Sequence, residues 1–253
     1  MIFDNVSHYN VLPPSDPRLK EYLNYNPVHN EYTRRQNLPG RSPTETDRAG
    51  WRGYDRVYTK YFKNIRNDKL DILEIGIKEG YGIYAWQKYF KTATLYGLDI
   101  DWNSGIMQER RNIKENHNLF QKARLYNLDS TKEDHWLQFY GKEFDIIIDD
   151  GDHHPISQLN TFKYGWKYLK AGGLFFIEDI GHKYGKEELQ KLSDFIESRK
   201  DEFQSIDIYY HDNTGLKKWL EVARQNANFA KRSGIKDVNA TSNEYIVAIR
   251  KSR

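Results

Sequence analysis

At 253 residues the chain is long enough for one large domain, or for one domain with an extension. A net charge of +3 is too small at this size to demand nucleic acid, and basic pairs such as Arg34-Arg35 and Arg110-Arg111 read as solvated faces. With no cysteine, disulfides, thiolate catalysis and zinc held by thiolates are excluded. The mean hydropathy of −0.89 is polar, yet 15% aromatic residues argue against disorder. No basic-then-apolar leader opens the sequence and no apolar run reaches membrane-spanning length. The expectation is a soluble, cytoplasmic protein with no membrane partner.

Residues 1–53 are rich in Tyr, Asn, Pro and Arg, lack a sustained apolar period and are punctuated by Pro13-Pro14 and Leu38-Pro39-Gly40. They are expected to form an arm, either packed on the domain, serving a homo-oligomer, or acting as a lid over a ligand. The main domain is expected over 54–253. Over 54–65, Val57, Tyr58, Tyr61 and Phe62 share one helical face. Residues 70–75 read as a buried strand, followed by a loop with Gly76, Gly80 and Gly82, a helix over 83–89, and a strand over 95–98 ending in Asp99. Strand, glycine turn, helix, strand and acid make a nucleotide-binding βαβ unit. The glycines let backbone approach a ligand, and the acid can accept both ribose hydroxyls.

A dinucleotide fingerprint, G-x-G-x-x-G, holds a pyrophosphate at a helix N-terminus. Here the pattern is Glu74-x-Gly76-x-x-x-Gly80, with an acid before the first glycine and a wider spacing. It resembles the first motif of class I methyltransferases, whose S-adenosylmethionine carries no pyrophosphate. On that resemblance Glu74, Gly76, Gly80 and Asp99 line the cofactor. A helix is expected over 103–118 and a third strand over 123–128, ending at Asp129-Ser130. In this fold an acid or hydroxyl there meets the adenine, which adds Asp129 and Ser130 to the cofactor set; for Asp129 the alternative is to cap a helix over 131–139.

The stretch 144–180 carries the chemistry. Ile146-Ile147-Ile148 and Leu174-Phe175-Phe176-Ile177 are each the length of a buried strand, and each is followed by acids: Asp149-Asp150 and Glu178-Asp179. Ligands of open parallel sheets sit outside the carboxyl ends of the strands. Carboxylates gathered there repel one another unless a hard divalent cation lies between them, so Asp150, Glu178 and Asp179 are candidate ligands for Mg2+ or a similar ion. Asp149 is grouped with the cofactor residues, with capping of the next helix as its alternative. His153 lies just ahead of Pro155, a residue suited to the first turn of a helix. A helix N-terminus and a nearby cation both favour neutral imidazole, which makes His153 a candidate general base; His154 reads as a cap or packing residue. Beyond these, residues 186–199 form an amphipathic helix, 205–210 and 245–250 a sixth and a seventh strand, and a helix falls near 216–230. The fold class is therefore α/β: a Rossmann-like, doubly wound, seven-stranded sheet, mostly parallel with an antiparallel edge strand.

Asp149-Asp150-Gly151-Asp152-His153, with Gly172-Gly173 and Glu178-Asp179 downstream, resembles the metal-dependent sugar O-methyltransferases of the macrolide-sugar (mycinamicin/macrocin) and polysaccharide type. The resemblance runs from about Thr46 onward, and Tyr54-x-x-x-Tyr58 echoes a family segment ahead of the first strand. It implies magnesium on Asp150, Glu178 and Asp179, His153 (with Asp150) in catalysis, S-adenosylmethionine as methyl donor and a sugar or glycan as acceptor. Asp152 stands where the family usually has serine, and Arg52 near the place of a family histidine. An RNA or protein methyltransferase and a non-catalytic cofactor-binding or sugar-nucleotide-binding scaffold are the alternatives.

Overall fold

A computed structural model describes residues 7–10, 54–78, 81–101, 123–181, 186–212 and 244–253. Its strands are β1 (Ser7–Asn10), β2 (Asp71–Ile75), β3 (Thr94–Asp99), β4 (Ala123–Asn127), β5 (Phe144–Asp149), β6 (Leu169–Gly181), β7 (Phe203–Asp212) and β8 (Glu244–Lys251). Its α-helices are α1 (Tyr54–Phe62), α2 (Tyr81–Tyr89), α3 (Pro155–Gly165) and α4 (Lys186–Ser198). The helices expected over 103–118 and 216–230 lie outside the described residues, as does Gly80.

The sheet order is β1-β7-β8-β6-β5-β2-β3-β4. From β2 the chain steps outward through β3 and β4, then returns to the other side of β2 as β5, all in parallel. The order reverses between β2 and β5, so the crevice at their carboxyl ends is the topological switch point where such sheets bind ligands. The seven expected strands are all present. Two features extend the expectation. The antiparallel strand, β8, is flanked on one side by β6 and on the other by β7. Beyond β7, Ser7–Asn10 adds an eighth, parallel strand, so part of the stretch read as an arm belongs to the sheet.

Strand alternation divides the core in two. Ile146, Ile148 and Phe176 face α1 and α2, where they meet Tyr58, Phe62, Trp86 and Phe90. Ile147, Phe175 and Ile177 face α3 and α4, where they meet Phe162, Trp166, Leu192 and Ile196. At the amino ends of the strands, acids are matched by lysines: Lys142 lies 2.7 Å from Asp71 and Lys170 2.8 Å from Asp145. Among the described residues no helix is long and apolar enough to cross a membrane.

Candidate active site

At the carboxyl ends three loops are knitted together. The Gly76 amide donates to Leu98 O at 2.9 Å, and the Asp150 amide donates to Ile75 O at 3.0 Å. Gly76 has φ +80°, and a Cβ placed on it would stand 2.0 Å from Asp150 O and 2.7 Å from Gly151 Cα. Only glycine allows both that backbone conformation and that approach. The first glycine of the loop after β2 is therefore packed directly on the loop that carries Asp150. Asp99, at the end of β3, accepts from the Lys78 amide through Oδ2 at 2.7 Å and from the Asp101 amide through Oδ1 at 2.9 Å. A carboxylate has about four acceptor positions, so these two bonds orient Asp99 and leave capacity for a diol. Glu74 is 1% exposed, in register with Gly97 on one side and Ile148 on the other.

The second loop places His153. Its Nε2 lies 3.1 Å from Asp150 Oδ1 and 3.6 Å from Asp179 Oδ2. Asp150, His153 and Asp179 each offer one ligand atom within 4.8 Å of the others. His154 caps α3, its Nδ1 accepting from the Ile156 amide, with Pro155 in the first turn as expected. Asp152 accepts from the His154 amide at 3.0 Å and from Ser157 Oγ at 2.8 Å, bonds that brace the start of the helix. Asp149 does not cap α3, which corrects that alternative. Its Oδ1 accepts from the Gly151 amide at 3.2 Å, while Oδ2 is buried without a partner among the described residues. Burial pushes its carboxyl up to about 7.

The third loop departs from the sequence reading. Glu178 and Asp179 do not follow the end of a strand; β6 runs on to Gly181, and its register with β8 shifts between Ile177 and Ile180. The acids sit in that irregularity, and Asp179 has φ +55°. A bulge re-aims side chains that strict alternation would send to opposite faces, which is why the apolar pattern alone suggested a strand stopping at Ile177. Tyr54 donates to Asp179 Oδ1 and Tyr58 to Glu178 Oε1. Gln158 Nε2 donates to the Glu178 carbonyl at 2.8 Å. Glu178 is 1% exposed and is outside the three-residue group formed by Asp150, His153 and Asp179. Sequence reasoning gave the two tyrosines no site role; their i, i+4 spacing was the available signal. Lys78, His153 and Asp179 are the described non-glycine residues with positive φ: the first two stand in the loops after β2 and β5, the third in the β6 bulge. Such conformations cost about 1–3 kcal/mol apiece and cluster where surroundings impose a functional geometry.

Asp129 is turned to a local partner and Ser130 to a residue of α3. Asp129 Oδ1 accepts from the Thr131 amide and hydroxyl, and Ser130 Oγ lies 2.8 Å from Thr161 Oγ1 of α3.

Residues 73–180, which hold all three loops, match a family model described as a methyltransferase domain. Over this stretch the chain is similar to methyltransferase domains. Over 135 residues the chain is 30% identical to the mycinamicin VI 2''-O-methyltransferase of Micromonospora griseorubida, covering 50% of this chain and 31% of that protein. It is 26% identical over 145 residues to the 8-demethyl-8-(2-methoxy-alpha-L-rhamnosyl)-tetracenomycin-C 3'-O-methyltransferase of Streptomyces olivaceus, covering 53% of this chain and 34% of that protein. Among solved structures, the MycE methyltransferase in complex with Mg, SAH and mycinamycin VI superposes with a TM-score of 0.54 at 20% identity, covering 90% of this chain and 54% of that one. At that identity the likeness is one of fold. The chain spans 31–36% of the length of the curated relatives it matches.

The carboxylate donors of this stretch suit a hard divalent ion. Two carboxylates converge beside an imidazole with no thiolate: the carboxylate oxygens suit a hard ion such as magnesium or manganese, and a soft metal would lack its sulfur ligands.

Proposed function

We propose that the methyltransferase domain moves a methyl group from S-adenosylmethionine to a sugar hydroxyl of a glycan or glycosylated metabolite, with Mg2+ or a similar cation in attendance. The observation that carries this reading is the convergence of Asp150, His153 and Asp179 beside the Gly76 loop, at the switch point of the sheet. Glu74, Gly76 and Asp99 line the cofactor; Asp150 and Asp179 hold the ion, with Glu178 beside them as the third acid. When bound, the ion would orient acceptor oxygens and lower the pKa of one hydroxyl.

The remaining work falls to the chain. The His153 imidazole, beside Asp150 and Asp179, takes the hydroxyl proton as the acceptor oxygen bonds to the methyl carbon. The sulfur keeps the electron pair of the broken bond, and S-adenosylhomocysteine leaves. Because the displacement is in line, holding donor and acceptor at a fixed approach supplies much of the acceleration. Support for a sugar acceptor comes from the relatives: one is named for the rhamnosyl group of its substrate, and the MycE structure contains Mg, SAH and mycinamycin VI together.

The test is methyl transfer to a panel of glycosylated acceptors, before and after chelation and with Mg2+ restored. Activity should vanish on chelation and return with the ion; full activity after exhaustive chelation removes the metal from the reading. His153→Ala should lower turnover by about 10²–10⁴-fold, the usual loss for a general base, while S-adenosylhomocysteine affinity by calorimetry holds. If no acceptor is methylated despite tight cofactor binding, the scaffold alternative takes its place.

A further inference from the structure

The acids of the β6 bulge are gripped from one side by a single helix. Tyr54 and Tyr58 are four residues apart on α1, so their side chains leave one face. One hydroxyl donates to Asp179 Oδ1 and the other to Glu178 Oε1, two carboxylates adjacent in sequence. Both tyrosines are 0% exposed and the acids only 1% and 3%. The Tyr58 ring is wedged between Phe62 at 5.2 Å, Trp86 at 5.0 Å and Phe176 at 5.0 Å. Trp86 belongs to α2, the helix that leaves the cofactor loop, and Phe176 to β6 itself. Packing, not solvent, therefore decides where the Tyr58 hydroxyl stands.

The Asp179 carboxylate is divided between two duties. Oδ1 accepts from Tyr54, and Oδ2 lies 3.6 Å from His153 Nε2 on the side where Asp150 converges. A carboxylate with one oxygen committed to a fixed donor can present the other in only one orientation. The Glu178 residue is held twice, at Oε1 by Tyr58 and at its carbonyl by Gln158.

We propose that Tyr54 and Tyr58 are positioning residues for the cation of this site, aiming the Asp179 and Glu178 carboxylates before the ion arrives. The proposal rests on the metal-dependent reading above and extends it to two side chains outside the converging group of Asp150, His153 and Asp179. A merely structural role would differ in its consequence. Hydroxyls that only satisfy buried acids affect stability, whereas donors that orient metal ligands affect metal affinity, by about 10–100-fold in known sites.

The test uses the full chain with Tyr54→Phe and Tyr58→Phe, which keep the rings and remove only the hydroxyls. Mn2+ and Mg2+ binding are followed by calorimetry, alongside S-adenosylhomocysteine binding and the melting temperature without metal. Each variant should bind either ion about 10–100-fold more weakly than wild type while S-adenosylhomocysteine affinity stays unchanged. A lowered melting temperature with unaltered ion affinity in both variants overturns the positioning role and leaves the metal site standing. A wild-type chain that takes up neither ion overturns the metal-dependent reading itself, so the two failures are distinct. Should Tyr58→Phe fail to fold, Tyr54→Phe carries the test alone, because its partner Asp179 belongs to the converging group.

Discussion

Tyr89 shows, away from the crevice, what burial does to a single ionisable side chain. Its hydroxyl is buried without a partner among the described residues, while the Arg66 guanidinium lies 4.8 Å from the ring centroid. Desolvation dominates the opposing effect of Arg66 and pushes the phenol up to about 12. Between its ordinary value of 10.0 and about 12, the folded chain keeps a proton that the unfolded chain releases. Stability must then fall as pH rises through that interval, because the unfolded state binds fewer protons there. Tyr89→Phe should remove this share of the alkaline decline, and at neutral pH should be neutral or stabilising by about 1 kcal/mol, since it deletes an unsatisfied buried group. Urea midpoints of both proteins at pH 8, 10 and 11 check it; parallel declines would contradict the assignment. Hydrogen bonding rather than burial accounts for Asp152, an acid at an exposed position. Its oxygens are engaged by the His154 amide and the Ser157 hydroxyl at the start of α3.

Between loops and helices, the decisive contact is Gly76 against Asp150. Any side chain at Gly76 meets the Asp150 carbonyl at 2.0 Å and must also adopt φ +80°. Left-handed backbone costs a non-glycine residue about 1–2 kcal/mol, and overpacking against backbone about 1–3 kcal/mol more. Gly76→Ala should thus lower stability by about 2–5 kcal/mol and weaken S-adenosylhomocysteine and Mn2+ binding together, because one displacement moves both loops. Denaturant melts and two calorimetric titrations decide it; loss of cofactor binding alone, with ion affinity intact, would mean the loops are uncoupled. The glycine and its motif were readable because sequence spacing reports backbone freedom. Its neighbour was not readable, since Asp150 is 74 positions away and is brought close only by the return of the chain to β5. The bulge in β6 was hidden for a related reason: Leu174–Ile177 alternates between two buried faces and so looks continuously apolar, which masks where the alternation breaks.

Across the whole sheet, packing is unequal. β6 lies between β5 and β8, with its residues from Leu174 to Gly181 buried, whereas β4 is, among the described residues, bonded on one side only and its residues are half-buried or exposed. Amides buried and bonded within such central strands open only with global unfolding, while edges open locally. Hydrogen exchange should therefore be slowest in β5, β6 and β8 and faster by orders of magnitude in β4, as read by mass spectrometry of the intact chain. Equal protection of β4 and β6 would mean the edge is covered by a further element. The acids of the proposed ion site lie on β6 and directly after the end of β5, which suits a site that must keep its geometry without a ligand.

Local chemistry was enough to determine the order of the strands from β2 onward, the described helices between them, the glycine loop, Asp99 at the end of its strand, and the acid–histidine stretch, because burial period, turn residues and charge are properties of near neighbours. It also singled out Asp150, His153 and Asp179, which converge within 4.8 Å. The partners of those side chains were decided only by the fold. Tyr54 and Tyr58 reach acids more than a hundred residues away, Asp149 turns back to Gly151, and Ser130 meets Thr161. A hydrogen bond depends on where two atoms end up in space, and a chain that crosses back over its own sheet settles that through long-range packing.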